Sequence, residues 1–320
     1  MPTKILFIRL SSLGDIVLTA PVVAAARRRY PEARIDFCTK SEYASIAKQI
    51  PGVNGVIEVQ KEVMNEARGE IANSEYDVII DLHNNLRSKK LTRGLRQVSR
   101  VHKRTMRRWL IVKTKRNWMA GQPDVIGRYF EAASKLLNIA DDGSPPIFST
   151  TSAASGSIAI CPGSKHWNKQ WPVENYVALA KDLSEKGFAI ELFGSKEDRD
   201  VCTIITSSVT GVTDHSGKIS LADLPAALAR CSFAITNDSG LMHVASAVGL
   251  STLSFFGPTV REFGFAPRSS KAMVLENVGL YCRPCTKIGL DHCPEKHFRC
   301  MKEITPEQAL ITIEPLVKSL

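Results

Sequence analysis

Short apolar runs rich in Ile, Val, Leu and Phe recur along the chain, with segments of helical length between them. In the first half they are KILFIRL (4–10), RIDFCTK (34–40), GVIEV (55–59), DVIIDL (77–82) and SRVHK (99–103). Strands separated in this way by helices pair in parallel, so the pattern predicts a doubly wound α/β sheet. DDGSPPIFSTTSAASGS (141–157) then breaks the periodicity with Pro, Ser, Gly and Asp and reads as a linker. The alternation restarts with SIAICPG (157–163), a helix from Val173, FAIELFG (188–194), another helix, FAITND (233–238), a helix after Ser239, and STLSFFG (251–257). Thr305 stands as a helix N-cap with Pro306 at the first helical position, so the chain is expected to close on a helix. The expected organisation is two Rossmann-like domains with a cleft between them, over residues 1–152 and 153–303, followed by a C-terminal helix over 304–320.

Composition agrees with this division and narrows the class. The 320 residues, 44% hydrophobic and 23% charged, suit two soluble globular domains of about 150 residues each. The N-terminal stretch MPTKILFIRLSSLGDIVLTAPVV is cut by Arg9 and Asp15 and lacks a small-residue cleavage site, which argues against a signal peptide. No run approaches the roughly 20 apolar residues of a membrane-spanning helix. A cytoplasmic protein is therefore expected, its eight cysteines reduced or metal-bound rather than paired. The net charge of +10 is unevenly spread: Arg87–Arg116 carries thirteen Lys or Arg and no Asp or Glu. Such a block suits a polyanion, whether nucleic acid, an anionic membrane face or a phosphorylated substrate.

In an open α/β sheet, ligands bind beyond the carboxyl ends of the strands, which directs attention to three strand-to-helix junctions. At Ser11-Ser12-Leu13-Gly14-Asp15, Gly14 is expected to allow a tight turn. Asp15 enters the first helical turn, either as a helix-capping carboxylate or as a general base. At Pro162-Gly163-Ser164-Lys165, followed by Lys169-Gln170-Trp171-Pro172, a lysine can serve as a point charge on a phosphate or remain an ordinary solvated cation. At Asn237-Asp238-Ser239-Gly240, Asp238 or Ser239 can cap the helix. The amides of Gly240, Leu241 and Met242 then form an anion site at its N-terminus, with His243 on the same turn as ligand neighbour or structural histidine.

Four stretches in order, ILFIRLSSLGDIVLTAPVV, DLHNNLRS, PGSKHWNKQWP and TNDSGLMHVASAVGLSTLSFFGPT, resemble the bacterial heptosyltransferases, glycosyltransferase family 9, from Lys4 to about Ile311. The resemblance implies a GT-B fold and inverting, metal-independent transfer of heptose from ADP-L-glycero-D-manno-heptose. The acceptor it implies is a Kdo or heptose residue of the lipopolysaccharide inner core. Carried onto this sequence, it makes Asp15 the catalytic base within the loop of Ser11, Ser12 and Gly14. It makes Lys169 a donor phosphate contact, and Asp238, Ser239, Gly240 and His243, with the Leu241 and Met242 amides, the donor cradle. The acid holding the donor ribose falls on Glu197, with Asp198 as its alternative. The basic block then faces the phosphates of lipopolysaccharide at the cytoplasmic face of the inner membrane, with Arg87, Arg104, Arg107 and Arg108 as acceptor-side residues. A monomer that needs no cofactor for catalysis and binds no nucleic acid is expected.

Cys282, Cys285, Cys293 and Cys300, with His292 and His297 among them, are close enough in sequence to close a structural zinc site. Their spacing is not that of a standard zinc ribbon, so free thiols or a structural cross-link are the alternative. Two rival functions fit less well. A nicotinamide oxidoreductase lacks its G-x-G-x-x-G and the acid after the second strand, and a nucleic-acid binder lacks clustered aromatic platforms. A GT-B glycosyltransferase with another nucleotide-sugar donor stays open, because no base-reading residue is identifiable.

Overall fold

The computed structural model describes residues 1–60, 64–148 and 156–317, and the chain divides into two units. The first comprises Met1–Arg104 and Pro123–Ser149; the second comprises Thr105–Gln122 and Thr150–Leu320. The expected boundary at 152/153 and the last residues of the expected C-terminal helix lie outside the described residues.

In chain order the first half forms β1 (Lys4–Ile8), α1 (Leu13–Val17), α2 (Ala20–Arg29), β2 (Arg34–Lys40), α3 (Ala44–Ala47), β3 (Gly55–Val59), α4 (Met64–Asn73), β4 (Val78–Asp81), α5 (Leu86–Leu91), β5 (Val98–Arg100), α6 (Thr105–Thr114) and α7 (Val125–Leu137). The strands of the first unit lie in the order β3-β2-β1-β4-β5, all parallel. β1 is central, and its Ile5, Leu6, Phe7 and Ile8 are all fully buried, as expected of a parallel strand covered on both faces. Helix α7 turns Val125, Ile126, Tyr129, Phe130, Ala133 and Leu137 inward at helical spacing.

The second half forms β6 (Ile158–Cys161), α8 (Val173–Glu185), β7 (Ile190–Leu192), α9 (Arg199–Ser208), β8 (Val212–Asp214), α10 (Leu224–Leu228), β9 (Phe233–Asn237), α11 (Gly240–Ala247), β10 (Ser251–Phe256), β11 (Ala272–Glu276), α12 (Arg299–Lys302) and α13 (Pro306–Val317). Its sheet runs β11-β10-β9-β6-β7-β8, again all parallel. Trp171, stacked on Phe255 and edge-on to Tyr176, anchors its core. As expected, α13 starts at Pro306, and the Thr305 hydroxyl accepts from the Gln308 amide at 3.3 Å while the Gln308 side chain returns to the Thr305 amide.

Each sheet has one switch point, where the direction of strand addition reverses. It lies between β1 and β4 in the first unit and between β6 and β9 in the second. Loops leaving neighbouring strands on opposite faces open a crevice there. The first and second candidate junctions follow β1 and β6, DLHNNLRS follows β4, and the Asp238 junction follows β9.

The fold departs from the sequence reading in three respects. The helix after β1 begins at Leu13, so Gly14 is already helical and buried rather than forming a turn ahead of it. The edge strands β8 and β11 carry too few fully buried side chains for an apolar signature. Helix α6 belongs with the second unit because Ile111 and Met119 pack on Phe263, with Val112, Val260 and Phe265 around them.

Candidate functional site

In the first unit, Asp15 fills the capping role that its position allowed and carries an ion pair besides. Its Oδ2 accepts from the Ser12 amide at 3.3 Å and from the Ser12 hydroxyl at 2.9 Å, closing the first turn of α1. Its Oδ1 is ion-paired with Arg9 at 2.7 Å and accepts from the Tyr129 hydroxyl at 3.5 Å. Arg9 extends β1 by one residue, donates to the Leu82 carbonyl at 2.6 Å and lies over the Tyr129 ring. Burial pushes the Asp15 carboxyl up, but the Arg9 charge and the Ser12 and Arg9 hydrogen bonds outweigh it and hold the group below its ordinary range. The side chain is thus an ionised acceptor at neutral pH, the state a general base requires.

The loop after β4 borders the same crevice. Buried Asp81 accepts from the amides of His83 at 3.0 Å and Asn84 at 2.8 Å and from the Ser88 hydroxyl at 2.8 Å, which fixes the DLHNNLRS turn. His83 is buried, and that burial, reinforced by the charges of Arg9 and Lys103, depresses its imidazole to about 3. It is therefore a neutral polar group near Asp15, not a competing cation. Tyr129, Asp81 and His83 carry no local sequence signature of a site, and Arg9 carries a weak one. The signal for Arg9 was a cation ending a wholly apolar strand, which burial obliges to find a partner.

In the second unit, the turns after β6 and β9 are tied together by one side chain. Asn237, fully buried at the end of β9, donates to the carbonyls of Pro162 at 2.7 Å and Gly163 at 3.3 Å. Its oxygen accepts from the Trp171 amide and the Tyr176 hydroxyl, both at 3.0 Å. Next to it, Asp238 is ion-paired with Lys169 at 2.6 Å and accepts from the Thr259 hydroxyl at 2.7 Å. Burial acts to raise the Asp238 carboxyl, while Lys169, Thr259 and His243 together bring it below its ordinary value. Asp238 is thus clamped from the sides. Ser239 occupies the N-cap of α11, where its side chain makes no capping hydrogen bond and its buried hydroxyl oxygen has no partner. The first turn, Gly240, Leu241 and Met242, is left without a side-chain cap. Met242 and His243 are both buried, and His243 lies near enough to Asp238 to help lower its carboxyl.

The two candidates for the ribose acid differ. Asp198 is committed, its Oδ2 accepting from the Ser195 amide and hydroxyl, both at 2.8 Å. Glu197 is exposed on the same turn, held below its ordinary range by the Ser195 side chain. Arg87 and Arg104 belong to the first unit, Arg107 and Arg108 to the second. Arg87 is exposed on α5, and Arg104 pairs with both oxygens of Glu131 at 3.0 Å. Arg107 donates to the Trp118 carbonyl at 3.1 Å. Arg108 donates to the Lys287 carbonyl at 2.6 Å and lies over Phe263 and Phe265, so much of its side chain secures α6 to its own unit.

The cysteine segment keeps its thiols buried or half-buried. Among the described residues no group of three or more His, Cys, Asp or Glu is arranged to hold a metal. All four thiols are free. Cys282 and Cys300 belong to the hydrophobic core beside Phe298, Met301 and Ile304, and Cys293 packs against it. Burial raises the Cys285 thiol to about 11 and the Cys300 thiol to about 12, which keeps them protonated.

The sequence profile of glycosyltransferase family 9 (heptosyltransferase) matches residues 65–296. The lipooligosaccharide heptosyltransferase 2 of Haemophilus influenzae is 26% identical over 98% of this chain and 99% of its own. The structure of Escherichia coli ADP-heptose lipopolysaccharide heptosyltransferase II superposes with a TM-score of 0.78 at 24% identity, covering 99% of both chains. That of an E. coli heptosyltransferase with ADP gives 0.76 at 19% identity, covering 98% of this chain and 99% of that one.

Proposed function

The chain belongs to glycosyltransferase family 9 (heptosyltransferase), and on that premise we propose that it transfers heptose from ADP-L-glycero-D-manno-heptose to a Kdo or heptose residue of the lipopolysaccharide inner core. ADP-heptose is the donor named for a relative of the same fold, and the L-glycero-D-manno configuration is what the family resemblance implies. In this reading the enzyme works as a monomer at the cytoplasmic face of the inner membrane.

The observation that carries the reading is the N-terminus of α11. An eight-residue helix begins at a switch point with no side-chain cap, a buried unpartnered Ser239 hydroxyl and a half-buried lysine beside it. Uncapped amides with the positive end of a helix dipole behind them suit a diphosphate. An ammonium has three protons, so Lys169 can keep Asp238 and still donate to the departing β-phosphate. Neutralised by Lys169, Asp238 no longer repels that phosphate and is free to accept from sugar hydroxyls. Glu197, exposed where Asp198 is held by both the Ser195 amide and hydroxyl, is the acid proposed for the ribose.

A sugar hydroxyl is a weak nucleophile, so Asp15 takes its proton as the oxygen bonds to the anomeric carbon and ADP leaves. One such displacement inverts that carbon. The charge growing on ADP meets fixed dipoles and Lys169, which supply the stabilisation without a metal ion. Arg87, Arg104 and Arg107 are proposed to meet the phosphates and carboxylates of the acceptor.

Incubation with ADP-heptose and a series of truncated core acceptors tests the reaction, and Asp15→Ala tests the base. The variant is expected to lose transfer by about 100-fold or more while binding ADP as the parent does. Transfer within about tenfold of the parent removes Asp15 from that role. Failure of ADP-heptose to turn over with every core acceptor removes the proposed reaction.

A further inference from the structure

We propose that α6 and the turn that follows it form an anionic-membrane docking element, with Met106, Trp109 and Trp118 entering the lipid interface and Lys113 and Arg116 meeting lipid phosphates. It rests on the reading above only in taking an inner-membrane acceptor as the reason for docking.

The observation is an apolar face turned the wrong way. Ile111 of α6 is buried against Met119 and Phe263, with Val112 beside it, which accounts for one side of the helix. The opposite side carries Met106, Trp109, Leu110 and Lys113, within about 100° of the helix circumference. There Met106 is 72% and Trp109 46% exposed, and Trp118 on the following turn is 42% exposed. A surface helix ordinarily turns polar residues outward, and an exposed cluster of large apolar side chains marks an interaction site. The Trp118 indole donates to the Thr114 hydroxyl at 2.9 Å and its carbonyl accepts from Arg107 at 3.1 Å, so this ring is held against the helix end.

Charge selects the partner. Helix α6 lies within the stretch from Arg87 to Arg116 that contains no acidic residue, and Trp118 follows two residues after that stretch. Lys113 and Arg116 are exposed beside the apolar face. Tryptophan favours the boundary between headgroups and acyl chains, and long basic side chains reach from there to phosphates. A protein partner would require acids to match; an anionic bilayer offers phosphate charge and an apolar layer together.

The test uses the full chain and acceptor-free vesicles of phosphatidylethanolamine and phosphatidylglycerol, with phosphatidylcholine vesicles and RNA as controls. Expected are sedimentation with the anionic vesicles, weakened by salt, and quenching of tryptophan fluorescence by lipids brominated in the acyl chain. Trp109→Ala and Met106→Ser, both outward-facing, should each weaken partition by about fivefold or more with unchanged melting, and Trp109→Phe should restore most of it. No vesicle binding, binding without quenching, variants that bind like the parent, or RNA binding without vesicle partition each overturns the docking element. Transfer to a soluble deacylated acceptor separates the two readings. Transfer without vesicle binding sinks the docking alone, and vesicle binding without transfer to any acceptor sinks the proposed reaction alone.

Discussion

The Asp15 carboxyl is governed by two opposed effects, burial that raises it and Arg9 with Ser12 that lower it, and the second prevails. Held below the ordinary carboxylate value of about 4, it stays ionised until pH falls through that lowered value. As a base it should keep transfer intact down to the same point. Arg9→Met removes the main lowering influence and leaves the burial. The acid limb of kcat/KM should then move upward by about one unit or more, and a pH–rate profile with an unmoved limb would refute the coupling. The Lys169–Asp238 pair gives a second contrast, read by calorimetric titration with ADP. Lys169→Ala should weaken binding by about tenfold or more, since it removes a cation and leaves a buried carboxylate unpaired beside the phosphates. Asp238→Asn should bind ADP at least as tightly as the parent, and a tenfold loss would show that the carboxylate itself contacts the nucleotide. The junction positions of Asp15 and Asp238 were legible in the sequence because strand ends and helix starts can be located from periodicity, whereas Lys169 was singled out by the family resemblance. Their partners Arg9, Tyr129 and Thr259 were not, because each comes from another element and only packing brings it near.

Among the elements, those with continuous apolar runs were read to within a residue or two. RIDFCTK and GVIEV coincide with β2 and β3, and the helix after Ser239 starts at Gly240. Edge strands were missed for the converse reason: β11 is only partly buried throughout, so its residues carry no two-sided apolar constraint. The turn after β6 illustrates what an element demands of a single residue. A Cβ on Gly163 would stand 2.1 Å from the Asp198 Cγ, and Asp198 is fixed by its bonds to Ser195. Gly163→Ala should therefore cost about 1–3 kcal/mol in denaturant unfolding and weaken ADP binding, because displacing Asp198 disturbs the turn that Asn237 ties to β9. Unchanged stability and affinity would mean that the turn adapts freely.

At the scale of the molecule, the assignment of residues 105–122 to the second unit is the feature furthest from the sequence reading. Its anchor is Phe263, 1% exposed and in contact with the buried Ile111 and Met119. Phe263→Ala should remove about 3–5 kcal/mol of local packing. In native-state hydrogen exchange the amides of 105–122 should then lose protection while those of β1 and β4 keep theirs; equal loss in both would mean that the segment does not follow its unit. No helix among the described residues is long and apolar enough to cross a bilayer. The sequence by itself determined two parallel α/β sheets, the strand-to-helix junctions at their switch points and the residue types standing there, because hydrophobic periodicity and helix-start chemistry are local. The tertiary structure decided which charges meet, which thiols are core and which sheet α6 serves, because partners distant in the chain are chosen by packing, and burial then sets the charge state of each.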